Sequence, residues 1–540
     1  MRIVLIGYGP VGARFVEEVL PLVREGRARL TVVGAEEHEP YNRVLLAEYA
    51  VGRADRERLE LGDAEAAREA GVVIRLGQRV QGIDRTRQLV RLGDGTTVPY
   101  DRLVFATGAR ANIPTLAGLE RPRIGRAAAR ADAALDGHSA GLPDGVVVLR
   151  DLADADTVRA AVRERRRVIV LGAGVLGMEF ALAAREQGAE VVTVYHGDAP
   201  MERNLDAGGG RMLAAAARAA GVIMTSHSRA ESVVLSTSDD GHRHFDALLC
   251  ADGKQIDGDL LVLSCGVAPR VELADRAGLA VSTGILVDEE LRSWSDPDVY
   301  AIGDCAHIAT PVAATDQRGG GSTVAPGQHP RVTGAPSGLI GPGWRQAAWL
   351  AGVFAAELRA GERPALLPAE RRPVVMLKAE GVSVCAAGEL GADPWASEPG
   401  VEVTQWVDPA RGRYATMTTR DGVLTGFVCA GLPRLAAELT LLFERGSELP
   451  PDRSALLALD GSAPGHGALR SASPDDVVCS CNGVTGRAIS HAIACGSATV
   501  REVGSATRAG TGCGGCRDRI VALLDQAAES VADVLPAPVG

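Results

Sequence analysis

Arg2-Ile3-Val4-Leu5-Ile6-Gly7-Tyr8-Gly9-Pro10-Val11-Gly12 decides how the rest of the chain is read. Four apolar residues after Arg2 run into glycines spaced G-x-G-x-x-G, and the amphipathic stretch ARFVEEVLPLVREG (13–26) follows at once. In a strand–turn–helix, the first glycine permits the tight turn and the second lets a pyrophosphate approach the backbone. The third lets helix and strand pack closely, and the helix start turns its free N–H groups toward phosphate. A second strand, RLTVVG (29–34), comes next, with Glu36 just beyond it, placed to accept hydrogen bonds from ribose hydroxyls. A glycine triplet alone is a weak signal that a purely structural turn would also give. Strand, helix and acid in order make it a dinucleotide site.

The arrangement recurs. RRVIVLGAG (166–174) leads into Gly172-Ala173-Gly174-Val175-Leu176-Gly177, and EVVTVYHG (190–197) supplies the second strand. Here no acid stands at the strand end. A carboxylate there would repel a 2′-phosphate, whereas His196 or Arg203 could attract one, which tilts the reading toward NADPH. An ordinary exposed loop histidine explains His196 equally well. Glu179, two residues beyond Gly177, either contacts the nicotinamide or complements the helix dipole.

A third pattern lies near the C-terminal end: Cys479-Ser480-Cys481, thirty-one residues, then Cys513-Gly514-Gly515-Cys516. Paired thiolates on glycine turns hold a soft metal centre, either an iron–sulfur cluster or zinc. Zinc ribbons usually carry two CxxC knuckles, so one CxC and one CxxC suit a [2Fe–2S] cluster better, with a structural zinc site as the alternative. Beside two nucleotide sites, such a centre reads as an outlet for electrons. Cys495 lies between the pairs on ISHAIACG and is expected to pack. His491 is either a spare ligand or a surface or core residue, and Arg487, Arg501 and Arg508 give the module a basic edge.

Bulk properties narrow the class. A chain of 540 residues implies several domains. A net charge of −11 disfavours a nucleic-acid partner and suits solubility or a basic protein partner. No apolar run reaches the length of a membrane span, and the first strand begins directly after Met1, so neither a span nor a secretory signal is expected. Cys250, Cys265, Cys305, Cys385, Cys429 and Cys495 are expected to be reduced, buried, small hydrophobes of a cytoplasmic protein.

Further along, DLLVLSCG (259–266) and DVYAIGD (298–304) read as strands, and the Ala/Gly/Asp-rich stretch 126–145 as a linker. The Gly/Pro-dense segment 314–343 reads as loop, followed by a helix, WRQAAWLAGVFAAELRAG (344–361), and an α+β stretch from 370 to 445. A loop over 460–475 leads to the cysteine module.

Phe105-Ala106-Thr107-Gly108-Ala109 and Val299-Tyr300-Ala301-Ile302-Gly303-Asp304-Cys305-Ala306 resemble two segments of the flavoproteins built on two dinucleotide domains. The resemblance implies that the first site takes FAD and the second NAD(P)H. It also implies that Thr107 and Gly108 close the FAD domain and that Asp304, after Gly303, bonds the ribityl or pyrophosphate portion. More narrowly, the chain resembles the N-terminal part of the large subunit of assimilatory NAD(P)H nitrite reductases and the electron-transfer subunit of assimilatory nitrate reductases. Glu39-Pro40-Tyr41-Asn42-Arg43-Val44-Leu45-Leu46 is similar to their loop beneath the flavin. Leu339-Ile340-Gly341-Pro342-Gly343-Trp344 and Val374-Val375-Met376-Leu377-Lys378-Ala379-Glu380-Gly381-Val382 are similar to later segments. The cysteine module is similar to the family's domain related to bacterioferritin-associated ferredoxin (BFD), with Cys479, Cys481, Cys513 and Cys516 as ligands of [2Fe–2S].

The implied fold is α/β: two Rossmann-like domains of glutathione-reductase type, an α+β domain and a small helical BFD-like domain. Its divisions are 1–125 and 253–345 for FAD, 140–252 for NAD(P)H, 365–450 for the α+β interface domain, a candidate homodimer face, and 474–530 for the cluster. The implied chemistry is hydride transfer from nicotinamide to flavin, needing orientation but no catalytic side chain, then single electrons through the cluster to a protein acceptor. The favoured acceptor is the catalytic subunit of a nitrate reductase. A ferredoxin- or rubredoxin-type reductase and a flavin reductase with a structural zinc module are the alternatives. The chain departs from the pattern in carrying Glu48 where many relatives have lysine near the flavin. It has no CxxC in the first helical region, which disfavours dithiol chemistry. It also has no further grouped cysteines for a sirohaem and [4Fe–4S] domain, so it is expected not to reduce nitrite alone.

Overall fold

The computed structural model describes residues 1–119, 139, 141–309, 332–367, 373–379, 381–395, 398–460, 473–479, 481–512 and 514–532. Cys513 and most of the segments read as linkers at 126–145, 314–343 and 460–475 lie outside these described residues.

The opening βαβ unit folds as its pattern requires. Strands Arg2–Ile6 and Arg29–Val33 pair in parallel, and the helix Pro10–Arg24 between them buries Phe15, Val16, Val19, Leu22 and Val23 on one face. Pro10 sits in its first turn, where no backbone N–H is needed. Arg102–Phe105 adds on the other side of the first strand, and Asp296–Ala301, almost two hundred residues later, pairs in parallel with it. The resulting eight-stranded sheet runs Ala306–Ile308, Ile285–Val287, Arg292–Ser293, Asp296–Ala301, Arg102–Phe105, Arg2–Ile6, Arg29–Val33, Val73–Arg75. The helix Ile340–Arg359 covers it, with Phe354 edge-on to Phe15 and Tyr300 at centroid distances of 6.0 and 5.2 Å.

This helix begins earlier than the sequence suggests. Ile340, Gly341, Pro342 and Gly343, read as loop, form its first turn. Proline is tolerated there. A Cβ on Gly343 would lie 2.6 Å from Val11 Cγ2 and 3.3 Å from Gly303 Cα, so the glycine serves close packing on the first nucleotide turn.

The second sheet is wholly parallel, in the order Ile223–Thr225, Glu190–Val194, Arg167–Leu171, Leu260–Leu263, Val146–Val147. Leu260–Leu263 pairs with Arg167–Leu171, so this sheet continues past the boundary expected at 252. All four residues of that strand are buried, as a parallel strand covered on both faces requires. A third, antiparallel sheet runs Val375–Ala379, Val382–Gly388, Val423–Ala430, Arg413–Arg420, Val401–Asp408, with the helix Pro433–Arg445 against it. The C-terminal module has a short hairpin, Val477–Cys479 with Val484–Thr485, and helices Gly486–Ala494, Val500–Thr507 and Arg517–Ala532. Among the described residues, no helix is long and apolar enough to cross a membrane.

Candidate active site

The two glycine turns are built alike. Gly7 has φ +107°, and a Cβ on it would fall 2.2 Å from the Ala106 carbonyl oxygen; a Cβ on Gly12 would fall 2.3 Å from the Gly7 oxygen. Gly172 has φ +112° and would meet the Ser264 oxygen at 2.3 Å, and Gly177 would meet the Gly172 oxygen at 2.3 Å. No side chain fits at any of the four positions. By contrast, a Cβ on Gly174 would have no neighbouring protein atom within 4 Å, and on Gly9 the nearest would be Arg43 Nε at 4.0 Å. Open space over the second glycine of each turn is what a pyrophosphate needs.

Around the first turn the structure gathers charge that lies far apart in sequence. Arg43 pairs with Glu36, whose carboxylate also accepts from Tyr41 Oη at 2.7 Å. Arg43 Nη1 donates to the Arg150 carbonyl at 3.0 Å, and Arg150 Nη2 stands 4.0 Å from Asp304 Oδ2. Arg270 joins them: burial, then the nearby Arg43 and Arg150, press its pKa down to about 10. Burial and Arg43 lower Arg150 too, against the pull of Asp304. At Arg43 burial works against the charge, but Glu36 and Tyr41 outweigh it and hold its pKa above the usual value. Asp304 follows Gly303, at φ +74°, and burial raises its pKa against the opposing arginines. Arg150 Nε is buried without a hydrogen-bond partner. Three guanidiniums crowded beside an open glycine turn fit a bound diphosphate, as FAD carries. Thr107 Oγ1 donates to the Arg270 carbonyl at 3.1 Å, and Gly108 accepts from Arg270 N at 2.9 Å, so the ATG segment holds Arg270 in place. Glu48 pairs with Arg58 at 3.4 Å.

At the second turn Leu176 is exposed and Glu179 half-buried. His196 and Arg203 are both exposed beyond the strand Glu190–Val194. The sequence places no acid at this strand end, but the fold brings one there. Glu202 Oε1 accepts from Asp198 N at 2.6 Å, and its carboxylate lies against Gly197.

The described cysteines of the C-terminal module converge. Cys479, Cys481 and Cys516 are buried together with Trp344, Val484, Ile489, Val503 and Ile520. Cys479 Sγ lies 3.5 Å from Cys481 Sγ. Hydrogen bonds from the Cys481 and Cys516 thiols hold Cys479 far below the ordinary thiol range, against its burial. A buried set of sulfurs that favours the thiolate suits iron or another soft metal. Cys495 is not among them, and it does not pack: it is exposed at the C-cap of the helix Gly486–Ala494, its sulfur 3.7 Å from His491 Nε2 one turn earlier. Two of the three arginines of the basic edge are engaged, while Arg501 is exposed. Arg487 pairs with Asp475, and Arg508 reaches Glu18 at 2.9 Å and Glu17 at 3.3 Å on the first helix.

Sequence reasoning missed Arg150, Arg270 and Glu202. Arg150 and Arg270 come beside the first turn only where distant chain returns, and Glu202 reaches Gly197 over a short local turn. Asn42 and Trp344 lie in segments that the resemblance marks, but it assigns neither a role.

Residues 1–325 match the pyridine nucleotide-disulphide oxidoreductase family, and residues 477–526 match the BFD-like [2Fe–2S] binding domain. The chain is 30% identical to the NAD(P)H nitrite reductase large subunit of Klebsiella oxytoca, over 98% of this chain and 50% of that protein. It is 27% identical to the assimilatory nitrate reductase electron transfer subunit of Bacillus subtilis, over 97% and 59%. It thus spans about half the length of the curated relatives it matches. Its fold is similar to that in the covalent putidaredoxin reductase–putidaredoxin complex, with TM-score 0.63 and 22% identity over 85% of this chain and 99% of that one. The chain belongs to the pyridine nucleotide-disulphide oxidoreductase family and is an NAD(P)H-dependent flavoprotein oxidoreductase with FAD and a C-terminal BFD-like [2Fe–2S] domain.

Proposed function

We propose that this protein is the electron-transfer component of nitrate or nitrite assimilation, delivering electrons from NAD(P)H to the catalytic subunit of an assimilatory nitrate reductase. The observation that carries the electron outlet is the seating of the buried cysteine set directly against the first nucleotide domain, with Cys481 at Gly341 and Trp344. Likeness to the nitrate and nitrite reductase proteins over nearly the whole of this chain supports the pathway. Bound FAD would take a hydride, two electrons and a proton, from the nicotinamide and release electrons one at a time to the cluster.

The chain's own residues orient and shield. In this reading Gly7, Gly9, Pro10, Val11 and Gly12 leave room for the FAD pyrophosphate, and Arg43 with Arg150 and Arg270 neutralises it. Glu36 meets the ribose, Asp304 after Gly303 meets the ribityl side, and Thr107 and Gly108 position Arg270. Gly172, Gly174, Leu176, Gly177 and Glu179 receive the nicotinamide nucleotide, with His196 and Arg203 outward at its ribose end. Cys479, Cys481, Cys513 and Cys516 hold the cluster. The antiparallel sheet supports a homodimer face through its edge strand Val401–Asp408, on which Val407 is exposed.

Anaerobic titration of the purified protein with NADPH and then NADH tests the reading. Bleaching of both flavin and long-wavelength iron–sulfur absorption, followed by reoxidation on adding a nitrate reductase catalytic subunit and nitrate, is the expected result. A flavin spectrum accompanied by zinc and no iron would remove the electron outlet.

A further inference from the structure

The loop that precedes Cys513 is gripped by the first nucleotide domain at three separate points. Asn42, buried beside Arg43, donates from Nδ2 to the carbonyls of Thr511 at 3.2 Å and Gly512 at 2.9 Å. The Trp344 ring lies flush with Gly512: a Cβ there would fall 2.8 Å from Trp344 Cζ3 and 2.7 Å from Cys481 Sγ. The Trp344 indole N–H is itself anchored to the Pro10 carbonyl at 3.0 Å, in the first glycine turn. Arg508 closes the third point on Glu17 and Glu18. The other cysteine loop touches the same domain, since a Cβ on Gly341 would fall 3.1 Å from Cys481 Cα.

These contacts are specific to the docked arrangement. Docked, the buried Asn42 amide is satisfied by the two loop carbonyls, as a buried polar group must be. Trp344 is 6% exposed, and much of its cover is the cysteine module itself. A module that swung freely on its linker would expose both residues on every excursion.

Resting on the electron-transfer reading above, we infer that the cysteine module is a fixed part of the first nucleotide domain and not a tethered carrier. Trp344 and Asn42 are its positioning residues: they hold the second cysteine loop against the glycine turn at a set separation. The internal electron step therefore proceeds within one rigid assembly, and an external acceptor must approach the module from the side facing away from Trp344.

The test uses the full-length protein loaded with FAD and cluster. Arg508→Glu sets a third carboxylate against Glu17 and Glu18, and the double variant Arg508→Glu/Glu17→Arg restores an opposite pair. Asn42→Asp keeps the acceptor for Val44 N but turns a carboxylate toward two carbonyls. Hydrogen–deuterium exchange is read over residues 340–345 and 508–512, and stopped-flow absorption follows flavin and cluster bleaching separately after mixing with NAD(P)H. Loss and reversal of an exposed pair should speed exchange in both segments about tenfold in Arg508→Glu. It should slow cluster bleaching by a similar factor and leave flavin bleaching unchanged, with the double variant recovering both. Asn42→Asp should speed exchange and slow the cluster step likewise. Wild-type exchange and cluster rates in Arg508→Glu and Asn42→Asp would overturn the inference, as would slowing that the restored pair fails to rescue. If the wild-type cluster is not reduced at all, the electron-transfer reading fails, while the exchange data still report whether the module is docked.

Discussion

The Tyr414 hydroxyl donates to Asp206 Oδ2 at 2.7 Å, joining the antiparallel sheet to the start of the helix Ala207–Ala219 in the second nucleotide domain. Asp206 also caps that helix by accepting from Gly209 N at 2.8 Å, so one carboxylate serves both jobs. The approach is so close that a Cβ on Gly208 would fall 2.3 Å from the Tyr414 ring. Thr416 and Gln405 donate to the same phenol oxygen at 2.7 and 2.8 Å.

Tyr414→Phe removes the acceptor for two donors and one bond to a charged group. It should lower stability by about 1.5–3 kcal/mol, the range for a hydrogen bond to an ion. Calorimetry should show the transition containing the second nucleotide domain moving to lower temperature, with flavin content unchanged.

The same phenol sets an alkaline signature. Burial, against the Thr416 bond and aided by Asp206, pushes the Tyr414 pKa up to about 12 from 10.0. The folded state therefore keeps its proton where the unfolded chain has lost it. This contribution is whole below pH 10 and disappears as pH rises through about 12. The stability difference between wild type and Tyr414→Phe should shrink across that window; a constant difference would show that the phenol does not titrate this way.

Arg150→Leu separates folding from flavin binding. Removing one of three crowded guanidiniums relieves repulsion but loses its bond to the Ala109 carbonyl and its charge opposite Asp304, so the stability of the flavin-free protein should change little. FAD should bind about ten- to a hundredfold more weakly, corresponding to about 1.5–3 kcal/mol for a lost charge-assisted bond. Equilibrium dialysis with FAD and thermal melts of the flavin-free form would check the two outcomes.

Gly174→Ala tests the open space at the second turn. No protein atom obstructs the added methyl group, so the fold should survive, yet the methyl enters the volume left for the nucleotide pyrophosphate. KM for NAD(P)H should rise about tenfold or more, about 1.4 kcal/mol, with FAD content unchanged. Gly172→Ala, which meets the Ser264 carbonyl at 2.3 Å, should instead impair folding of the domain.

Cys516→Ser and Cys495→Ser should behave oppositely. The first replaces a buried sulfur hydrogen-bonded to Cys479, and long-wavelength absorption and bound iron should be lost while NAD(P)H still bleaches the flavin. The second changes an exposed thiol, and iron content should remain that of the wild type.

Features that depend on neighbours within a few positions were legible in the order of amino acids alone. Glycines 7, 9 and 12, and 172, 174 and 177, were legible from their spacing directly after an apolar strand, and the positive φ of Gly7 and Gly172 is a requirement of the turn itself. Continuous apolar runs and amphipathic helical patterns placed the strands and helices around them, and the tight spacing of each cysteine pair announced a soft metal centre. Which charges face each turn emerged only when the chain was folded. Arg150 and Arg270 come beside Arg43 because distant segments of the chain return to adjacent places. The resting place of the cysteine module is of the same kind, for Asn42, Trp344 and Arg508 meet their partners across hundreds of residues. Such meetings follow from packing of whole elements, which no short window of sequence encodes.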